Sequence, residues 1–292
     1  MIKSTKFWAA FLFVCLGLLA FSSNAQASMW ACDWAGNLYT ANTSNAALSF
    51  IGNTGVAQLG ALEFGPNGKL YAISATTGPG SALYTIDPNT AAATLIGSLG
   101  FDNVLEGGLT FSPNGTAYAV EHYEGSAFIN DLVTVDLNTG AASTVAPIGT
   151  SYHDINGLVW RSDGMLVGLI DDAAGGLATI DPVTGAFSTI SPLTFSVGAI
   201  GGMTTDMSSG VNYFGTGIVP GGDNFFGTNS LYTFDAFSGA SSYVGTFSGG
   251  LDDVNGISGL AWGQASTVPE PATMGLLSLG LAGLAMFRRK RS

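Results

Sequence analysis

The chain has 292 residues, of which 47% are hydrophobic and only 10% are charged, a composition that excludes an intrinsically disordered protein and suffices for a sizeable core. Between residues 28 and 264 nineteen acidic residues face only two basic ones, Lys69 and Arg161, which gives this part a net charge of −17. So acidic a segment excludes nucleic acid and anionic lipid as its partners, whereas cations, neutral glycans and basic proteins stay open.

The first 27 residues have the pattern of a secretory signal. A short basic start precedes the apolar run Phe7–Phe21, and the segment ends in the small residues of Ala25–Ala27. We therefore predict that residues 1–27 are a signal peptide and that cleavage follows Ala27. Cys15 would leave with this segment, so Cys32 can form no intrachain disulfide in the mature protein. Cys32 is then either a buried side chain or a reactive thiol that can form an intermolecular bond.

The stretch from Gly60 to Gly100 predicts four short strands separated by turns. Aliphatic residues, tyrosine and threonine, which favour strands, fill each of them. Pro66-Asn67-Gly68 follows the first strand as a tight-turn sequence, and the aspartate that ends the third strand can accept backbone N–H groups two residues on. The predicted strands, named a to d in chain order, are Ala61–Phe64, Lys69–Ser74, Ala82–Ile86 and Ala92–Ile96.

Imperfect copies of this stretch follow at intervals of 45 to 57 residues. Two series of residues mark the copies independently: an aliphatic residue in strand a, and an aspartate (asparagine in the first copy) that ends strand c. Four strands in each unit and a period in the forties are typical of the blades of a β-propeller, and the count is five. The first series is Leu62, Leu109, Leu158, Met203 and Leu260, and the second is Asn42, Asp87, Asp136, Asp181 and Asp235.

The two ends of the repeat region complement each other. The mature start supplies strands b, c and d at Trp30–Trp34, Asn37–Ala41 and Ala47–Ile51, and the last copy supplies only a strand a, at Ile257–Trp262. Joining them closes a ring and protects the sheet edges. We therefore predict an all-β fold: a five-bladed β-propeller whose N- and C-terminal strands close one blade, flanked by a signal peptide and a C-terminal apolar helix.

Two small or short residues precede the marker residue of strand a in every copy, as in Gly60-Ala61 and Gly201-Gly202. Small residues permit the close approach of the innermost strands of a five-fold ring. Segments such as Leu83–Gly97, which reads LYTIDPNTAAATLIG, resemble the NHL-like and YVTN-like repeats of bacterial extracytoplasmic propellers. That resemblance covers about 235 residues and implies a fold but hardly a function.

Beyond Gly263 the composition changes. A linker at residues 264–268 leads to Pro269-Glu270-Pro271, then to an apolar run at Met274–Phe287 and to four basic residues at 288–291. As a helix, the apolar run would reach about 21 Å, which is short of the roughly 30 Å hydrocarbon core of a bilayer. The basic cluster is expected to stay on the cytoplasmic side. A plain C-terminal membrane anchor is the simpler alternative.

The C-terminal segment closely resembles the PEP-CTERM sorting signal of Gram-negative bacteria, and Val268–Thr273 matches that motif throughout. The resemblance implies that an exosortase, a membrane transpeptidase, recognises Pro269, Glu270 and Pro271, cleaves nearby and passes the protein to the cell surface or the extracellular space. It also implies exopolysaccharide or matrix proteins as partners in a biofilm. The membrane would hold the chain only through the C-terminal helix, before processing. The expected domains are residues 1–27, 28–264 and 265–292.

A propeller of this connectivity places the b–c and d–a connections on one face of the ring, here called the loop face, and the a–b and c–d turns on the other, the turn face. The loop face is predicted to hold the irregular loops, among them Glu121–Asp131, Asp171–Gly176 and Ile218–Asn229. Glu106 is unusual on the loop face because the other copies carry an aliphatic residue there. With neighbouring side chains it could hold Ca²⁺ or another divalent cation, since oxygen ligands suit Ca²⁺ and imidazole suits transition metals. Ordinary solvated loop residues are the alternative. The candidate ligands are Glu106, His122, His153, Asp154, Asp252 and Asp253.

Common catalytic motifs are missing from the sequence. It contains neither Gly-x-Ser-x-Gly nor His-Glu-x-x-His, and no known motif surrounds Cys32. This favours a non-enzymatic binding or structural module with no required cofactor. The alternative is a metal-assisted hydrolase or lyase that acts on a glycan or a related extracellular substrate.

Overall fold

A computed structural model describes the chain between residues 28 and 263, apart from eight internal gaps. All of the described residues belong to one compact unit, Ala27–Gln264. The described ranges are 28–74, 80–101, 108–124, 127–148, 154–171, 176–192, 200–217, 229–249 and 256–263.

Twenty strands form five antiparallel sheets of four strands each, and no residue in the described ranges is helical. The predicted all-β, five-bladed propeller is therefore confirmed. With the inner strand first, blade 1 consists of β20 (Ile257–Gly263), β1 (Ser28–Asp33), β2 (Asn37–Ala41) and β3 (Leu48–Asn53). Blade 2 consists of β4 (Leu59–Phe64), β5 (Leu70–Ser74), β6 (Ala82–Ile86) and β7 (Ala93–Ser98).

The other three blades follow in chain order. Blade 3 consists of β8 (Thr110–Phe111), β9 (Ala117–Glu124), β10 (Ala127–Val135) and β11 (Ala142–Pro147). Blade 4 consists of β12 (Asp154–Trp160), β13 (Leu166–Asp171), β14 (Gly176–Ile180) and β15 (Phe187–Pro192). Blade 5 consists of β16 (Ile200–Asp206), β17 (Val211–Thr216), β18 (Ser230–Phe234) and β19 (Ser241–Thr246).

Blade 1 is built from both ends of the described chain. The last strand, β20, pairs antiparallel with the first, β1, in a register that places Ser28 opposite Gly263 and Cys32 opposite Gly259. This pairing satisfies backbone groups that would otherwise form an open sheet edge. The predicted closure of one blade by the two terminal strands is confirmed.

The inner strands meet closely where the sequence carries small residues. A Cβ atom added to Gly259 of β20 would lie 3.0 Å from the backbone nitrogen of Leu62 in the neighbouring inner strand. Gly202 has a φ of +77°, and a Cβ atom there would lie 2.7 Å from the backbone nitrogen of Leu260. Side chains larger than hydrogen therefore do not fit. The five marker residues of strand a are all buried in the core around these contacts: Leu62, Leu109, Leu158, Met203 and Leu260.

The c–d turns repeat one hydrogen-bonded design. In blade 4 the carboxylate of Asp181 accepts the backbone N–H groups of Val183 at 2.8 Å and Thr184 at 3.0 Å. These bonds hold the pKa of this carboxyl below its usual range. The predicted role of the aspartate is confirmed, and the corresponding residues of the other blades do the same: Asn42, Asp87, Asp136 and Asp235.

Aromatic side chains join most neighbouring blades. The aromatic residue two positions after the marker of strand a contacts an aromatic residue in strand b of the preceding blade. Only at the interface of blades 4 and 5 do Val167 and Thr205 take these positions. The four aromatic pairs are Trp30 with Phe64, Tyr71 with Phe111, Tyr118 with Trp160, and Tyr213 with Trp262.

Candidate functional site

The structure describes only two of the six residues predicted as loop-face ligands. Asp154 is the first residue of β12, and its backbone lies opposite Asp171 of β13. His122 belongs to β9 and has a defined environment. The remaining four lie outside the described residues, so the proposed cluster stays a prediction: Glu106, His153, Asp252 and Asp253.

The segment around His122 is more regular than predicted. The sequence indicated an irregular loop from Glu121 to Asp131, but β9 runs on to Glu124 and β10 begins at Ala127. Glu121 pairs with Asp131 across the two strands. That expectation was wrong because the ladder of backbone hydrogen bonds continues through residues whose polar side chains suggested a loop. His122 is consequently a buried strand residue.

The imidazole of His122 is fully buried between blades 3 and 4. Its Nε2 lies 2.9 Å from the carbonyl oxygen of Ile155 in β12. A carbonyl oxygen only accepts, so Nε2 carries the hydrogen and donates it. Burial lowers the pKa of His122 to about 4, against the smaller opposing effect of this hydrogen bond. The ring is therefore neutral near pH 7.

The other ring nitrogen of His122, Nδ1, keeps a lone pair that no hydrogen-bond donor among the described residues contacts. A neutral imidazole in this tautomer can bind a transition metal or accept a hydrogen bond from a ligand. Three further polar side chains, Glu121, Asn130 and Asn156, are buried in the same two blades. Within the described ranges, however, no three His, Cys, Asp or Glu side chains come together as a metal-binding group.

Glu63 of β4 is a functional candidate that the sequence reasoning missed. Its carboxyl group accepts the backbone N–H of Phe64 at 2.9 Å and that of Trp262 in the neighbouring inner strand. The hydroxyl of Thr204, from the next inner strand, lies nearby without reaching full hydrogen-bonding geometry. Burial raises the pKa of Glu63 to about 8, and these polar contacts offset only part of that rise.

The repeat alignment contains the signal that could have found Glu63. This position directly follows the marker residue of strand a, and the other four inner strands carry no charge there. An acidic residue at one such position is therefore as unusual as Glu106 is at the strand entry. The equivalent residues are Thr110, Val159, Thr204 and Ala261, and all four are buried.

Cys32 is a core side chain. It is fully buried, and its Sγ lies 3.7 Å from the Oγ of Ser258 on the paired strand β20. Burial raises the pKa of the thiol to about 12, and the nearby charge of Asp33 adds a smaller rise. A thiol of this kind holds too little thiolate to act as a nucleophile at neutral pH.

The described segments contain no helix of the length and hydrophobicity that crossing a membrane requires.

Comparison with known families gives two matches. The family model described as "Repeat of unknown function (DUF6923)" matches residues 26–217, about two thirds of the chain. The model described as "PEP-CTERM protein-sorting motif" matches residues 267–291. The second match confirms the predicted sorting motif and implies a protein that is exported, processed by an exosortase and delivered to the cell surface or the extracellular space. No curated protein matches the chain.

Of two similar solved structures, only the first has a TM-score above 0.5, and it supports the fold alone. A chain from "Crystal structure of Nidogen/Laminin Complex" is 10% identical, with a TM-score of 0.53 over 82% of this chain and 99% of that chain. "Crystal structure of TolB from Acinetobacter baumannii" is 16% identical, with a TM-score of 0.48 over 81% of this chain and 66% of that one. Identities this low carry no activity or ligand from one protein to the other.

Proposed function

We propose a function for this chain, which belongs to the family described as "Repeat of unknown function (DUF6923)". It is a non-enzymatic binding or structural module associated with exopolysaccharide in the extracellular matrix. The proposed arrangement is a signal peptide at residues 1–27, the propeller at 28–264 and a sorting segment at 265–292. Before cleavage, the apolar run Met274–Phe287 holds the precursor in the membrane. After cleavage, the ring is the part that reaches the outside.

One observation carries this proposal. The inner strand β20 ends at Gly263, and the match to the sorting motif begins at residue 267. The folded body next to the sorting motif is therefore the closed ring itself. A closed propeller is a rigid scaffold that presents variable loops on one face, which suits binding to an extended polymer.

The charge of the ring narrows the class of polymer. With nineteen acidic and two basic residues between 28 and 264, the ring repels polyanions unless a cation bridges the two. We therefore propose a neutral exopolysaccharide as ligand, or an acidic one that is bridged by Ca²⁺. The carboxylates that would bind such a Ca²⁺ are the predicted loop-face residues Glu106, Asp154, Asp252 and Asp253.

Matrix fractionation of the host, together with binding of the purified ring (residues 28–264) to isolated exopolysaccharide, tests this function. We expect the processed protein to fractionate with the polysaccharide and the purified ring to bind it saturably. Binding that does not depend on Ca²⁺ would indicate a neutral polysaccharide, and binding that requires Ca²⁺ would indicate an acidic one. Recovery in the polymer-free fraction, with no binding in either condition, would refute the proposal. Catalytic turnover that disappears on mutation of a loop-face acid would refute the non-enzymatic part.

A second candidate function, a metal-assisted hydrolase or lyase acting on a glycan, is favoured by the free lone pair of His122 Nδ1. Its further ligands would come from the predicted loop-face residues, such as His153 and Glu106. Metal analysis of the purified ring and thermal shifts with Ca²⁺, Mn²⁺ and Zn²⁺ test this candidate. Bound metal that is lost in His122→Gln would support it, whereas no bound metal and no thermal shift would remove its basis.

A further inference from the structure

The carboxyl group of Glu63 lies inside the ring, where the inner strands of three blades approach one another. Glu63 projects from β4 of blade 2, and its carboxyl group contacts the backbone N–H of Trp262 in blade 1 and lies near the hydroxyl of Thr204 in blade 5. Blade 1 separates blades 2 and 5 around the ring, because β20 packs between β4 and β16. A side chain of blade 2 that approaches blade 5 therefore extends across the central channel.

Solvent reaches this carboxyl group from one end of the channel. Glu63 is half-buried, whereas the equivalent residues of the other four inner strands are at most 4% exposed. Strand β4 ends at Phe64, one residue further on, and the a–b turn follows it. The accessible part of Glu63 consequently lies at the turn-face end of the channel, where a small ion can enter.

Two sets of oxygen lone pairs meet at this point, and the described residues do not fill them. A carboxylate can accept about four hydrogen bonds, and the carboxyl group of Glu63 receives the N–H groups of Phe64 and Trp262. The Oγ1 atom of Thr204 is fully buried, and it has no hydrogen-bond partner among the described residues. Oxygen atoms are the ligands that hard cations prefer. Glu63 and Thr204 can therefore hold a cation together.

Among the described residues, Glu63 brings the only charge to this part of the channel. Strands β20 and β8, in the blades on either side of it, carry no titratable residue. On β16 the carboxylate of Asp206 accepts two serine hydroxyls of its own turn at 2.6 Å. On β5 the residue opposite Glu63 is Tyr71, whose hydroxyl accepts from the side-chain amide of Asn67. One cation of single charge thus balances an ionised Glu63, whereas a divalent ion would leave a positive charge in a site removed from water.

We propose that the turn-face end of the central channel binds one alkali cation, Na⁺ or K⁺, between the carboxylate of Glu63 and the hydroxyl oxygen of Thr204. Water molecules that enter from the turn face complete its coordination. The site belongs to the ring itself, so it goes beyond the proposed binding of exopolysaccharide and does not depend on it.

The cation and the proton of Glu63 compete for the same oxygen atoms. Burial raises the pKa of Glu63 to about 8, so the cation has to displace this proton, which leaves to solvent. The apparent affinity for the cation therefore rises roughly tenfold for each pH unit up to about pH 8 and levels off above it. A bound cation restores part of the stability that ionisation of Glu63 removes.

Thermal unfolding of the purified ring (residues 28–264), a compact unit by itself, tests this site in NaCl, KCl, CaCl₂ and choline chloride of equal ionic strength. At about pH 9 we expect NaCl or KCl to raise the melting temperature above that in choline chloride, by roughly 3–6 °C at a tenfold excess over the dissociation constant. At about pH 6 this difference should almost disappear. Glu63→Gln should abolish it at both pH values.

Thr204→Val should weaken this cation effect, because the substitution removes the second ligand and keeps the shape of the side chain. Thr205→Val is the matched control and should keep the effect, since the Thr205 hydroxyl donates to Asn212 and not towards the channel. The ²³Na line width gives a second measurement on the folded ring at room temperature. The wild-type ring should broaden the line at about pH 9, and Glu63→Gln should not.

Three results would overturn the proposal. Equal effects of NaCl on the wild type and Glu63→Gln, or no effect on either, would show that the channel holds no cation at Glu63. An undiminished effect in Thr204→Val would remove Thr204 as a ligand. A part of the CaCl₂ effect that depends on Glu63 and exceeds the effect of NaCl and KCl would overturn the assignment to an alkali cation.

Discussion

The rings of Tyr213 and Trp262 stack in parallel, with centroids 6.0 Å apart and an interplanar angle of 1°. Tyr213 belongs to blade 5 and Trp262 to β20, the strand that completes blade 1. The stack therefore attaches the C-terminal strand to the blade beside it, in addition to the ladder with β1. It repeats in stacked form the aromatic contacts that join three other pairs of neighbouring blades.

Replacing the two rings tests whether this contact stabilises the closure. We expect Trp262→Ala to lower the free energy of unfolding by about 3 kcal/mol. A double-mutant cycle with Tyr213→Leu should give a coupling energy of about 0.5–1.5 kcal/mol, measured by urea unfolding. Tyr213→Phe is the matched control, because it keeps the ring and should retain the coupling. Additive effects of the two substitutions would show that the stack contributes nothing of its own.

The raised pKa of Glu63 predicts a specific dependence of stability on pH. Its carboxyl holds its proton in the folded ring up to about pH 8 but loses it near pH 4.5 in the unfolded chain. The contribution of Glu63 is therefore fully present below about pH 4.5 and is lost as the pH rises towards 8, by up to about 1.4 kcal/mol per pH unit. Urea unfolding at several pH values should show this loss in the wild type and not in Glu63→Gln.

Asp163→Asn is the control for this experiment. Arg161 holds the pKa of the Asp163 carboxyl below its usual range, so its contribution is present above the ordinary aspartate pKa and is lost only as the pH falls. This variant should change the profile at acid pH and leave the range between 4.5 and 8 as in the wild type. Parallel profiles of the wild type and Glu63→Gln over that range would contradict the assignment of a half-buried, protonated Glu63.

The burial of Cys32 predicts an unreactive thiol. With its pKa raised from 9.0 to about 12, the thiolate fraction at pH 8 is about a thousandfold smaller than for a free cysteine. We expect the ring expressed as residues 28–264 to react with a disulfide reagent only at its rate of unfolding, and quickly in denaturant. Rapid reaction of the native ring would mean that β1 and β20 open around Cys32.

The repeat pattern predicted most of the fold because a propeller is built from local units. The turns of each blade have recognisable sequences. The marker residues of strand a, from Leu62 to Leu260, are all buried, as their regular spacing predicted. Closure was predictable because the C-terminal end of the repeat region supplies a strand a and the N-terminal end supplies only strands b, c and d. The predicted end of the strand before His122 was wrong. Polar residues extend β9 to Glu124 there, because the neighbouring blade buries their side chains.

The candidate site was less predictable because it depends on contacts between distant strands. Glu63 meets the backbone of Trp262 in the inner strand of the neighbouring blade, a contact that no local spacing shows. The lone pair of His122 follows from a hydrogen bond to Ile155, thirty-three residues away. Sequence spacing predicts which face of the ring a residue lies on, but it does not predict which side chains are buried away from solvent.

The sorting motif predicts a change that affects delivery and not folding. Pro269 to Pro271 lie beyond β20, so Glu270→Ala should leave the thermal unfolding of the ring unchanged. In the host, the variant should accumulate uncleaved in the membrane fraction, as judged by its mass and by fractionation. Ser266→Ala, which lies before the match to the sorting motif, is the control and should be processed. Normal release of Glu270→Ala would contradict recognition of Pro269-Glu270-Pro271 by the exosortase.

The closed ring is the central claim, and deletion of its last strand tests it most directly. Removing Ile257–Trp262 uncovers the edge of β1 and takes away the buried side chains of Ile257 and Leu260, each worth about 1.5–3 kcal/mol, with the stacked ring of Trp262. Since a domain's total stability is only about 5–15 kcal/mol, most of that margin should disappear.

The decisive measurement is thermal unfolding of two chains, residues 28–264 and the same chain without Ile257–Trp262. The account predicts one cooperative transition for the first and loss of cooperative unfolding, or a melting temperature lower by tens of degrees, for the second. A deleted chain that still unfolds cooperatively within a few degrees of the intact ring would contradict closure of the propeller by its two ends.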